Sequence, residues 1–125
     1  MMKSIICILL FCLSYTVIAQ DKPTKNDKAT VEVLGNCKMC KERIEKAALS
    51  VKGVKYALWD IPSGNLSFIY NGLKTNVDSV EIQISAIGHD TKNYTAKSSI
   101  YNELPGCCQY VRRGKVAAPG QATKH

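Results

Sequence analysis

At 125 residues, the chain lacks the length for a large enzyme and suits one small domain with a leader or tail. It also lacks an apolar stretch long enough to cross a bilayer. Its run from Ile5 to Leu13 falls well short of the roughly 20 residues a spanning helix needs. The formal charge is +7, yet no motif interleaving aromatic and basic residues for reading bases accompanies it. The lysines are scattered among glutamates, so the charge reads as ordinary solubility and no nucleic-acid partner is expected.

What is present begins with the first residues, MMKSIICILLFCLSYTVIAQ. Lys3 precedes the apolar run, and Val17 and Ala19 precede Gln20. This is the n-region, h-region and cleavage pattern of a secretory signal peptide. The expectation is a signal over residues 1–19, a periplasmic or otherwise extracytoplasmic location, and no stable membrane insertion after cleavage. A lipid anchor on Cys12 competes with this reading, but Phe11 stands where lipobox cysteines have a small residue. A retained N-terminal anchor is the other alternative. Cleavage would remove Cys7, Cys12 and the charge of Lys3, leaving Cys37, Cys40, Cys107 and Cys108 as two close pairs.

Residues 20–28 (QDKPTKNDK) are polar and contain Pro23, the composition of a flexible leader. From Ala29, apolar Ala29, Val31 and Val33 alternate with polar residues, the period of a half-buried strand. Cys40, Ile44, Ala47, Ala48 and Val51 recur at helical spacing, and Gly53 stops the helix. Val54 to Ile61 reads as a strand, Pro62 to Asn65 as a turn, and Leu66, Phe68 and Tyr70 as one face of a second strand. Val77, Val80, Ile84 and Ile87 form a second helical stripe, with Thr75, Asn76 and Asp78 placed for capping and Gly88 as the stop. A short strand within Tyr94 to Ala96 completes an α+β fold: the ferredoxin-like βαββαβ sandwich, with a four-stranded antiparallel sheet and two helices on one face. Residues 98–125 are interrupted by Pro105, Gly106, Gly114, Pro119 and Gly120 and read as an irregular, partly disordered C-terminal extension.

In this plan LGNCKMCK places Cys37 in the loop after the first strand and Cys40 in the first turn of the first helix. Free N–H groups and a partial positive charge at a helix start favour thiolate over thiol. Two thiolates without hard ligands suit Cu(I) first, with Hg(II) or Zn(II) as alternatives, whereas a closed structural zinc site needs four ligands. Lys38 and Lys41 are placed to offset the charge of a bis-thiolate complex. The same C-x-x-C also fits a thiol oxidoreductase, although the longer parallel βαβ architecture of such enzymes is missing, and it fits a passive disulfide.

The order strand, C-x-x-C, helix, Gly-Val hairpin, helix and Gly-His-Asp turn resembles the heavy-metal-associated domain family. That family includes copper chaperones, metal-pump N-terminal domains and the periplasmic mercuric-ion binding protein. The resemblance covers residues 29–97 and implies metal ligands at Cys37 and Cys40, with His89 at the family position after the second helix as a further candidate. Where the family has G-M-x-C-x-x-C, this chain has Leu34, Gly35 and Asn36 before Cys37. Leu34 is therefore expected to pack in the methionine's place, and Met39 lies between the cysteines.

Cys107 and Cys108 lie outside that domain. Adjacent cysteines can form a vicinal disulfide, pair with Cys37 and Cys40, or add thiolates to a metal site by folding back over it. Tyr101, Leu104 and Tyr110 are the candidate anchors for such a fold-back. Arg112, Arg113 and Lys115 form a small basic cluster, either solvated or docking on an acidic partner. The resulting expectation is a non-enzymatic, exported carrier or scavenger of a soft metal ion, exchanging it with a donor or acceptor protein of the cell envelope. A thiol-disulfide oxidoreductase and a sensor or sink without transfer are the alternatives.

Overall fold

A computed structural model describes residues 21–113 and the two-residue strand Thr123–Lys124. The N-terminal 1–19 segment and Lys115 lie outside the described residues, and no helix among the described residues is long and apolar enough to cross a membrane.

Strand β1 (Asp27–Glu32) is followed by helix α1 (Lys38–Ser50), the hairpin β2 (Val54–Trp59) and β3 (Asn65–Tyr70), helix α2 (Val77–Ala86) and β4 (Tyr94–Thr95). The short helix α3 (Ser98–Asn102), a 3-10 turn (Gly106–Cys108) and β5 (Thr123–Lys124) come after the ferredoxin-like plan is complete. β3 is the central strand of a three-stranded antiparallel sheet in the order β1-β3-β2. Its alternation decides which face is buried: Leu66 and Phe68 point inward beside Val31 of β1 and Ala57 and Trp59 of β2.

The helices cover that face with the residues their periodicity marks. Cys40, Ile44, Ala47 and Ala48 of α1 are buried, as are Val80 and Ile84 of α2. Of the three capping candidates for α2, Asn76 takes the N-cap, accepting a 2.8 Å hydrogen bond from the Ser79 N–H. The stripe did not mark Glu81, which is fully buried with its carboxylate accepting from the Asn93 side chain at 3.0 and 3.2 Å.

Three features differ from the sequence reading. β1 starts at Asp27, so the end of the polar leader is part of the sheet; Asp27 accepts from Thr24, and Gly72 N–H donates to the Thr24 carbonyl at 2.8 Å. The fourth strand is reduced. It meets β1's continuation at the Val33–Thr91 bridge, through the Lys92 N–H to Glu32 carbonyl and Leu34 N–H to Asp90 carbonyl bonds, while Tyr94 and Thr95 pair with Lys124 and Thr123. The extension, expected to be irregular, contributes Leu104, Cys108 and Tyr110 to the hydrophobic core.

Candidate metal centre

The cysteine loop is shaped from below by Trp59. Its indole is fully buried, and Nε1 donates to the carbonyls of Val33 (3.2 Å) and Gly64 (3.0 Å). A Cβ at Gly35 would lie 3.0 Å from the indole and 3.1 Å from the Cys40 Cβ, so only glycine lets the loop pass this close to both. Leu34 packs at the edge of the core as expected, but Trp59 fills the space beneath the loop.

Cys37 takes the N-cap position of α1, in extended backbone with φ −142° and ψ 177°. Its Sγ lies 3.6 Å from that of Cys40, whose sulfur also accepts from the Asn36 N–H at 3.4 Å. Although Cys37 forms no full side-chain cap, the Cys40 N–H lowers its thiol pKa to about 7, against partial desolvation, with further help from the Cys40 side chain and the Met39 N–H. The positive end of the helix thus acts on Cys37. Lys41 does not face the thiols: its ammonium donates to the Trp59 carbonyl at 2.7 Å and to Glu45 at 2.5 Å.

The tail folds back over this loop. The sulfurs of Cys37, Cys40 and Cys108 all lie within 4.8 Å of one another, with Cys40 and Cys108 fully buried and Cys37 partly so. The site is therefore more enclosed than an open two-cysteine loop. Cys107 is exposed; its Sγ lies 3.6 Å from the Met39 Sδ and 4.0 Å from the Cys108 Sγ. Its carbonyl accepts from the Cys37 thiol at 3.3 Å and the Asn36 amide at 3.5 Å, forming a backbone roof over the pair. The four cysteines among the described residues are free of disulfide bonds. Burial, then the neighbouring Cys40 thiol and its charge, push the Cys108 pKa well above the ordinary thiol range.

His89 is outside the group of three sulfurs. Its Nδ1 is 2.8 Å from the Leu34 carbonyl, and its ring stacks on Tyr110 with centroids 5.4 Å apart. Burial lowers its pKa, and the Arg43 charge adds to that, against the Leu34 bond and Asp90. Nε2 is buried without a hydrogen-bond partner. In this arrangement the histidine braces the cysteine loop through Leu34.

The tail anchors are those the sequence marked, with additions it did not. Leu104 packs on Gly88, whose φ of +107° and close contact exclude a side chain. Tyr110 accepts from the Asp90 N–H at 2.7 Å and donates to the Gly88 carbonyl at 2.8 Å; Tyr101 donates to the Tyr110 carbonyl at 2.5 Å. Arg112 is not a solvated cation. It grips Asp90 through two bonds of 2.8 and 2.6 Å, donates to the Ala96 carbonyl, and lies 4.7 Å above the Tyr101 ring. Arg113 pairs with Glu32 at 3.1 Å on the surface. The two described members of the basic cluster are thus paired within the molecule. The Gly88-His89-Asp90 turn and Tyr110 were visible in the sequence, but their pairing was not.

No family model and no curated protein matches the chain. Solved structures do. A structure described as the CopZ metallochaperone is 27% identical, with TM-score 0.51, covering 52% of this chain and 98% of its own. The N-terminal domain of a potential copper-translocating P-type ATPase from Bacillus subtilis, in its Cu(I)-loaded state, is 25% identical with TM-score 0.51, covering 54% and 85%. Oxidized MerP from Ralstonia metallidurans CH34, 20% identical with TM-score 0.51 and covering 54% and 94%, shares the fold. The shared part is about half of this chain.

Proposed function

From the chain's resemblance to the heavy-metal-associated domain family, in fold and in a C-x-x-C between first strand and first helix, we propose that this protein binds a soft metal ion through Cys37 and Cys40 and acts as an exported carrier or scavenger. The observation that carries the proposal is the pair of sulfurs 3.6 Å apart at the start of α1, one with its pKa lowered to about 7. A Cys37 thiol about half ionised near neutrality gives up its proton readily to a thiophilic cation. Cu(I) is the favoured ion because the donors are soft and, among the described residues, no hard ligand joins the sulfur group; Hg(II) and Zn(II) are the alternatives.

Transfer would proceed by ligand exchange. An incoming thiolate from a cell-envelope donor or acceptor takes one coordination position, the ion is shared between the two proteins, and a sulfur of this chain departs. No substrate bond is broken, so the protein acts without enzymatic catalysis. Export rests on the signal-like pattern of residues 1–19.

The burial of Cys40 beneath the tail favours a second reading, a sink that holds the ion without passing it on. The test is native mass spectrometry of the reduced protein, expressed with its own N-terminal segment, with Cu(I), Zn(II) and Hg(II) in turn and a chelator as competitor. One retained Cu(I), lost in Cys37→Ser and Cys40→Ser, is expected. Release to an acceptor protein supports the carrier, and retention supports the sink. Failure to hold any of these ions, together with insulin reduction by the metal-free protein, would instead establish a thiol oxidoreductase.

A further inference from the structure

We propose that Cys108 is the third ligand of this centre, so that the tail turns a two-thiolate loop into an enclosed three-thiolate site for a soft cation. The inference rests on the metal-binding reading above and goes beyond its two-cysteine ligand set. Its basis is the convergence of the Cys37, Cys40 and Cys108 sulfurs within 4.8 Å, from positions about seventy residues apart in the chain.

A buried cysteine is more often an inert core residue. Here the sulfur is held in place by structure on both sides. Upstream, Leu104 fills the space over Gly88, and the Cys108 N–H closes the 3-10 turn by donating to the Pro105 carbonyl at 2.8 Å. Downstream, the Tyr110 hydroxyl bridges Asp90 and Gly88, and Arg112 clamps Asp90 with two bonds. These contacts lock the turn onto the Gly88–Asp90 loop and direct Cys108 to the start of α1. Metal–sulfur bonds of about 2.3 Å place three trigonal sulfurs roughly 4 Å apart. The present spacing therefore needs only small side-chain adjustments.

The neighbouring cysteine has a different position. Cys107 is exposed and directs its sulfur toward Met39, while its carbonyl covers Cys37. The geometry makes Cys108 the inner ligand and leaves Cys107 at the rim. Each ligating thiol gives its proton to solvent as its sulfur–metal bond forms, and no electron changes hands. A third internal sulfur competes with an incoming partner thiolate for the ion, so release requires Cys108 to be displaced or the turn to lift.

The experiment is X-ray absorption at the copper edge on the reduced, Cu(I)-loaded protein, together with Cu(I) competition and the rate of transfer to a chromophoric chelator. Wild type and Cys107→Ser should show three sulfur neighbours. Cys108→Ser and the apolar Cys108→Ala should show two, hold Cu(I) at least tenfold less tightly and release it faster, with thermal unfolding confirming that a variant is folded. Two sulfurs in wild type, or unchanged coordination and release in a folded Cys108 variant, overturns the third-ligand assignment and leaves the two-cysteine reading intact. Failure of wild type to hold Cu(I), with Cys37→Ser no different, overturns both.

Discussion

At the scale of single residues, the four cysteines among the described residues occupy four different environments. Cys37 lies at a helix start with its pKa lowered to about 7; Cys108 is buried with its pKa raised. In the metal-free protein, alkylation of Cys37 by iodoacetamide should therefore rise with pH and reach half its limiting rate near pH 7. Cys108 should stay slow throughout the range in which the fold persists, as peptide mass spectrometry of the labelled protein would register. Equal labelling of the two at pH 7 would contradict the arrangement. His89 sets a second pH dependence. Burial holds its folded-state pKa below the unfolded value of about 6.5, so the folded state resists protonation and its stability is full above that value. As pH falls through the folded pKa, that stability is lost. Urea unfolding of the apo protein should show a lower midpoint at pH 5 than at pH 7, and His89→Asn, which retains a donor toward Leu34, should reduce the difference.

At the scale of elements, the cysteine loop is a layered assembly. Trp59 supports Gly35 from below, His89 holds Leu34 at the side, and the Gly106–Cys108 turn covers the top. The Asp90–Arg112 pair fastens that cover to the loop after α2. Both side chains are almost fully buried, at 5% and 9% exposure, so removing one leaves the other charged without its partner. Arg112→Met should cost about 3 kcal/mol in urea unfolding. Asp90→Asn introduced alongside it should recover part of the loss, because the stranded charge is then gone. Hydrogen exchange should accelerate first at the Cys108 and Tyr110 amides, whose bonds lie within the tail itself.

At the scale of the whole molecule, the extension completes the core. Leu104, Cys108 and Tyr110 are buried among the residues of α1, α2 and the sheet. A chain ending at Lys97 forfeits that burial, at roughly 1.5–3 kcal/mol for each large apolar side chain, and uncovers Cys40. Its thermal midpoint should fall well below that of the intact protein, and Cys40 should become open to alkylation. An unchanged midpoint would show that the tail merely rests on a self-sufficient domain.

The element order was legible because strands and helices are written in local periods: the alternation through Val31 and Val33, the Ile44–Ala47–Ala48 stripe, and Gly53 and Gly88 as stops. The placement of C-x-x-C between strand and helix followed from the same local signals. Glu81 was missed because a buried carboxylate on a helix is recognisable only once its partner, Asn93, is in place. Arg112 read as a surface charge because nothing local marks Asp90 as its partner.

The sequence by itself determined where the chain turns, which faces are apolar, and that two thiols meet at a helix start, since each depends on residues within a few positions of one another. Only the tertiary structure decided that the Cys108 sulfur lies within 4.8 Å of theirs while the Cys107 sulfur is exposed, that His89 Nδ1 lies at the Leu34 carbonyl, and that the fourth strand turns toward Thr123–Lys124. Those outcomes depend on contacts between segments distant in the chain. The packing of Leu104 on Gly88 and the Arg112–Asp90 clamp fix the register of the tail, and neither can be read from the spacing along one segment.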